Sequence, residues 1–261
     1  MARELTLYQV DAFASEVFRG NPAAVCPLQA WLSDKVLQSI AEENNLSETA
    51  FFVPQDDGFH IRWFTPESEI NLCGHATLAS AFILFEKLNW REEVVTFESK
   101  SGRLSVRLSD DVLMLDFPSQ PGTLCEPPRA LVNGLGCEPS EVLACEDYMA
   151  VFEREEDIVN ISPNLDALTQ LDLRGVIATA KGRDVDFVSR FFAPKVGINE
   201  DPVTGSAHCM LTPYWAEKLD KAQLKARQLS KRTGELGCEL KGERVFISGK
   251  AVLYLEGKIW I

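Results

Sequence analysis

Residues 62–88 read RWFTPESEINLCGHATLASAFILFEKL, and residues 190–219 read RFFAPKVGINEDPVTGSAHCMLTPYWAEKL. At the start of the two stretches Arg62, Phe64, Pro66, Ile70 and Asn71 recur in order as Arg190, Phe192, Pro194, Ile198 and Asn199. The second stretch then inserts Glu200-Asp201-Pro202, after which Gly74 recurs as Gly205, Ala76 as Ala207, and Glu86-Lys87-Leu88 as Glu217-Lys218-Leu219. Matches in order at both ends of one unit indicate an internal duplication. The plainer alternative is two unrelated strand–turn–helix units of similar make-up.

Each copy has the same grammar. Proline cannot continue a central strand, so Pro66 and Pro194 mark strand exits. An irregular turn follows, and a Gly-small-Ala sequence opens a helix, over about 75–88 in the first copy and 206–219 in the second. The first helix is apolar on nearly every face, which predicts that sheet wraps it. The second contains Pro213, which predicts a kink.

Outward from the repeat the chain is mostly β. Alternating or apolar runs predict strands over 5–13, 23–27, 49–54, 60–64, 94–98, 103–108 and 112–117. In the second half they predict strands over 142–152, 176–180, 185–192, 224–229, 234–241, 244–248 and 251–254, and a helix over 164–171. An amphipathic helix is expected over 34–44, with Ser33 as its N-cap. Residues 119–128, SQPGTLCEPP, are rich in turn formers and read as a linker. The expected fold class is α+β: two pseudo-symmetric domains, 1–118 and 129–252, each a curled, mostly antiparallel sheet around one central helix.

Composition narrows the function. The chain has 261 residues, 26 Lys+Arg against 39 Asp+Glu, and a formal net charge of −13. So acidic a chain argues against nucleic acid and against an anionic membrane surface as partner. The longest apolar run is too short to span a bilayer, and the start of the chain has no signal-peptide pattern. The seven cysteines include no CxxC pair, and free thiols in a cytoplasmic protein are the expectation. With 46% hydrophobic residues the chain can bury a full core without metal or disulfides.

The duplication carries a chemical expectation. Exposed N–H groups and the positive end of the macrodipole gather at each helix start, so each copy offers an anion site. Two such starts facing one cleft would give an acidic protein a pocket for a small carboxylate. The polar residues there are Cys73 and His75 in the first copy, and Asp201, Thr204, Ser206 and His208 in the second. Cys73, before a helix start, is expected to have a lowered pKa. His75 is able to bind a carboxylate or shuttle a proton. Glu48 opens an apolar strand, where its pKa is expected to rise toward that of a general acid/base. Cys73, His75, Asp201 and His208 match no common ligand spacing, so no metal is expected.

Four segments together resemble a known family: Gly20-Asn21-Pro22-Ala23-Ala24-Val25, the run NLSETAF at 45–51, Leu72-Cys73-Gly74-His75-Ala76-Thr77, and Asp201-Pro202-Val203-Thr204-Gly205-Ser206-Ala207-His208. They look like the PhzF-like (phenazine biosynthesis-like) family of the diaminopimelate epimerase superfamily, in its CGHAT-type branch. The resemblance implies two alike domains with the active site between them, and a last strand near 253–261 returning to the first domain. It implies a cofactor-independent isomerase acting on a small amino or hydroxy acid. It places the proton-moving carboxylate on Glu48, with His75 and Asp201 beside the substrate. Gly74, Gly205 and Ser206 fall at the helix starts that hold the substrate carboxylate, and Asn21 and Thr204 lie in the same motifs as further substrate-binding candidates. A homodimer is also implied. The superfamily's epimerases use one cysteine from each domain; here Cys73 matches the first, while the second motif has no cysteine before Cys209. A Cys73-assisted epimerase and a binding module without turnover are the competing readings.

Overall fold

The computed structural model describes residues 3–261. Met1 and Ala2, counted above in the first domain and in the reading of the chain's start, lie outside the described residues. The chain forms two compact units: the first runs to Asp116 and takes in Ser248–Ile261, the second is Phe117–Ile247.

In the first unit β1 (Glu4–Ala12) pairs antiparallel with β2 (Asn21–Pro27). Helix α1 (Asp34–Asn44) carries the chain across, so β3 (Glu48–Gln55) joins β2 in parallel, with Glu48 opposite Ala23. Then β4 (Gly58–Phe64) pairs antiparallel with β3, and the short β5 (Glu69–Ile70) precedes α2 (Gly74–Glu86). Strand β6 (Val94–Ser99) pairs parallel with β4, and β7 (Gly102–Ser109) and β8 (Val112–Pro118) complete a meander. Helix α2 packs against β1, β2 and β3, and Leu78, Ala79, Ala81 and Ile83 along it are wholly buried.

The second unit holds β9 (Thr123–Cys125), α3 (Arg129–Leu135), β10 (Glu141–Ala144), β11 (Tyr148–Phe152), α4 (Glu155–Val159) and α5 (Leu165–Leu168). These are followed by β12 (Val176–Lys181), β13 (Phe187–Phe192), a 3₁₀ turn at Pro194–Val196, and α6 (Gly205–Leu219). Strands β14 (Gln223–Gln228), β15 (Gly234–Lys241) and β16 (Arg244–Gly249) follow, and β17 (Ala251–Trp260) pairs antiparallel along β1 in the first unit.

The two units repeat one order of pairings. From β2 through β3, β4 and β6 to β7 the sequence is parallel, antiparallel, parallel, antiparallel. From β11 through β12, β13 and β14 to β15 it is the same. The side chains of the repeat match as well. Arg62 forks onto Glu69, with Nε–Oε1 and Nη2–Oε2 both 2.8 Å, and lies 5.1 Å above the Phe64 ring. Arg190 forks onto Glu200 at 2.7 and 3.0 Å and lies 4.9 Å above Phe192.

Several local expectations need correction. Ser33 sits at the N-cap of α1, but its side chain makes no cap bond; its carbonyl accepts from the Val36 and Leu37 N–H groups instead. The run 142–152 is two strands, parted by a turn that holds Asp147. The helix read over 164–171 is the single turn of α5, capped by Asn164 Oδ1 accepting from the Ala167 N–H at 3.1 Å. Residues 119–128 belong to the second unit, where β9 pairs with β10. Helices α3 and α4 have seven and five residues, too short to show a helical period. Among the described residues no helix is long and apolar enough to cross a membrane.

Candidate active site

The first-unit cluster begins with a glycine. Gly20 has φ +63°, and a Cβ there would stand 2.1 Å from the Ala12 carbonyl oxygen, so no other residue fits without moving backbone. This close turn delivers Asn21 as the first residue of β2, fully buried. Asn21 shares a strand face with Ala23, two residues on, and Ala23 is the partner of Glu48 on β3. Behind the strands α2 starts at Gly74, with Cys73 at its N-cap and His75 in its first turn.

Four groups meet there. His75 Nε2 lies 3.0 Å from Glu48 Oε2, and both side chains are more than nine-tenths buried. Neither atom makes an aligned hydrogen bond, so the contact is an ion-pair approach. On the other side of the ring, His75 Nδ1 lies 3.3 Å from Asn21 Nδ2 and 3.5 Å from Cys73 Sγ. Burial works to lower the His75 pKa, but Cys73 and Glu48 outweigh it and hold the ring well above the usual imidazole value.

The thiol corrects an expectation. Cys73 is raised, not lowered, first by burial and then by the neighbouring Glu48 carboxylate. Desolvation at this depth overrides the helix start. Cys209, on α6, is likewise pushed up by burial, to about 12.

The second-unit group surrounds the start of α6, whose N-cap is Thr204. The Thr204 hydroxyl donates to Asp201 Oδ2 at 2.5 Å, and its N–H donates to Gln228 Oε1 at 2.9 Å. Ser206 Oγ accepts from Arg174 Nη2 at 3.1 Å. Arg174 is itself held by the buried Asp147, with Nε–Oδ1 at 2.9 Å, and lies over Phe191. His208 is a core residue: Nδ1 bonds the Thr204 carbonyl at 2.8 Å, and burial lowers its pKa to about 4, so the ring is neutral.

Glu48, Cys73, His75 and Asn21 therefore come together in one unit, and Asp201, Thr204, Gly205 and Ser206 in the other. Arg174 and Asp147 escaped the sequence reading because each stands in an ordinary charged turn with no motif around it. Glu48, Cys73 and His75 also offer one ligand atom each within 4.8 Å of one another. The ring stands between the other two, with a different nitrogen toward each.

Comparison with known proteins fits this arrangement. The chain matches the family model described as phenazine biosynthesis-like protein over residues 10–119 and 131–257. It is 53% identical to an uncharacterized isomerase of Pseudomonas aeruginosa over 256 residues, covering 98% of this chain and 99% of that one. It is 40% identical to the human phenazine biosynthesis-like domain-containing protein over 285 residues, covering 98% and 99%. The crystal structure of a PhzF-family phenazine biosynthesis protein from Enterococcus faecalis superposes with a TM-score of 0.97 at 48% identity, over 99% of this chain and all of that one. Both halves of the chain, and the duplicated helix starts within them, place it in the phenazine biosynthesis-like family, to which it belongs.

Proposed function

We propose that this isomerase moves a proton on a small carboxylic acid, amino or hydroxy, bound between the two units, without a cofactor. Glu48 is the general acid/base. The observation that carries the reading is the buried approach of Glu48 Oε2 to His75 Nε2 at 3.0 Å, at the start of α2. A buried carboxylate beside a histidine is costly as a structural element alone and useful for proton transfer.

In the proposed step the Glu48 carboxylate takes a proton from a substrate carbon and becomes a carboxylic acid. The C–H electron pair stays on the substrate, spread into the adjacent π system. Glu48 then returns the proton to another carbon. The substrate carboxylate is met by N–H groups at Gly74 and Gly205 and by the Ser206 hydroxyl. His75 and Asp201 orient the reacting part. The Cys73-assisted epimerase is the weaker reading, because burial raises the thiol.

The test is deuterium uptake from solvent into a panel of amino and hydroxy acids. Uptake by the native protein and its loss in Glu48→Gln, with the fold intact, support the reading. Undiminished uptake in Glu48→Gln removes Glu48 from the role.

A further inference from the structure

We propose that Asn21 is a positioning residue that fixes the neutral His75 ring as its Nε2–H tautomer, so that a hydrogen-bond donor stands beside the Glu48 carboxylate. This inference rests on the proposed acid/base role of Glu48.

Donors and acceptors around the ring decide where its proton sits. In the arrangement described, Asn21 presents its amide nitrogen to His75 Nδ1 at 3.3 Å. An amide NH₂ only donates, so when the ring gives up its second proton, above its raised pKa, that proton leaves from Nδ1 and the remaining one sits on Nε2. Cys73 Sγ lies 3.5 Å from the same nitrogen, and burial raises its pKa, so beside a neutral ring the sulfur keeps its proton and its S–H also donates. Both neighbours of Nδ1 thus favour the same tautomer. The titratable groups facing the ring are Glu48 from β3 and Cys73 from the N-cap of α2; Asn21, from β2, is uncharged.

Nε2–H is then a donor whose bond to Glu48 is poorly aligned, since both Nε2 and Oε2 are buried without an aligned partner. A substrate oxygen entering beside Glu48 finds that N–H available. Donor and base act on neighbouring substrate atoms: the N–H stabilises the charge that develops as Glu48 removes the proton. The Gly-Asn pair gains a physical reason. Gly20 permits the close turn, and Asn21 at its end is buried directly against the ring.

The test uses the full-length protein labelled with ¹⁵N-histidine. With three histidines in the chain, one-at-a-time substitution of each assigns the long-range ¹H–¹⁵N spectrum. At a pH where His75 is neutral, the expected spectrum shows the proton on Nε2 and a bare Nδ1. In Asn21→Asp the new carboxylate accepts from Nδ1, and the protonated ring persists to a pH at least about one unit higher. With an exchanging substrate, kcat falls about tenfold or more while KM changes little, the pattern of a lost transition-state interaction. A native ring protonated on Nδ1 overturns the proposal, as does an Asn21→Asp ring that titrates like the native one. If the native ring is Nε2–H and no acid exchanges, the tautomer assignment stands and the isomerase reading falls.

Discussion

Glu48 on β3 and His75 on α2 approach to 3.0 Å although 27 residues separate them in the chain, and the fold buries both side chains to do it. Removing one partner strands the other. His75→Ala is expected to cost about 2–4 kcal/mol in stability, because the Glu48 carboxylate is left buried without its neighbour. Deuterium uptake should fall about 10²-fold or more, the range of a lost acid/base partner. Urea unfolding and exchange on the same preparation check the two effects. Unchanged stability would show that the two groups do not depend on each other.

Thiol chemistry gives a second expectation. Cys145 is the exposed cysteine among the described residues, while Cys73 is buried with a raised pKa. Iodoacetamide at pH 8 should label Cys145 early and leave Cys73 unmodified until the protein unfolds. Cys73→Ser should keep most of the exchange activity. Peptide mapping by mass spectrometry reads the labelling order, and rapid modification of Cys73 with loss of activity would revive the thiol mechanism.

The repeat shows how far a sequence carries such a fold. Hydrophobic alternation marked most strands, and α1 was bounded at both ends, because long-range packing agrees with local preference there. The short helices α3 and α4 left no period to read, and the partner of Asp147 at the break between β10 and β11 is Arg174, 27 residues away. Within the site, helix starts and neighbouring polar residues were legible. Two things were not. The direction of the Cys73 shift is set by burial, which no local pattern encodes. The role of Asn21 depends on which ring nitrogen it faces across a turn.

The matched forks predict matched losses of unequal size. Arg190 binds Glu200 and also donates to the Ile158 and Ile161 carbonyls at 3.2 and 2.7 Å. Arg62 binds Glu69 and the exposed Asp34. Arg190→Met should therefore destabilise by about 2–3 kcal/mol, the cost of losing a half-buried fork and leaving the Ile158 and Ile161 carbonyls without their donor. Arg62→Met should cost less, since Asp34 returns to water. Thermal or urea unfolding of the two variants ranks them, and the reverse order would show that the carbonyl bonds of Arg190 carry little of its contribution.

Acid unfolding separates the Glu69 fork from the rest. Arg62, aided by Lys100 at 2.6 Å, holds the Glu69 carboxyl down to about 2. Unfolded glutamate titrates near about 4.3. A group whose folded pKa is depressed contributes stability above its unfolded pKa and loses it as pH falls through the folded value. The contribution is thus full at neutral pH and disappears between about pH 4.3 and 2. Its upper limit is about 3 kcal/mol, from a gap of roughly two pH units at about 1.4 kcal/mol each, and the exposure of Lys100 and Asp34 reduces it. In urea titrations Glu69→Gln should be less stable than the native protein at pH 7, with the difference shrinking below pH 4 and vanishing near pH 2. A difference that is constant with pH would assign the loss to packing, and the ion pair would then have no measurable part in holding β5 to β4.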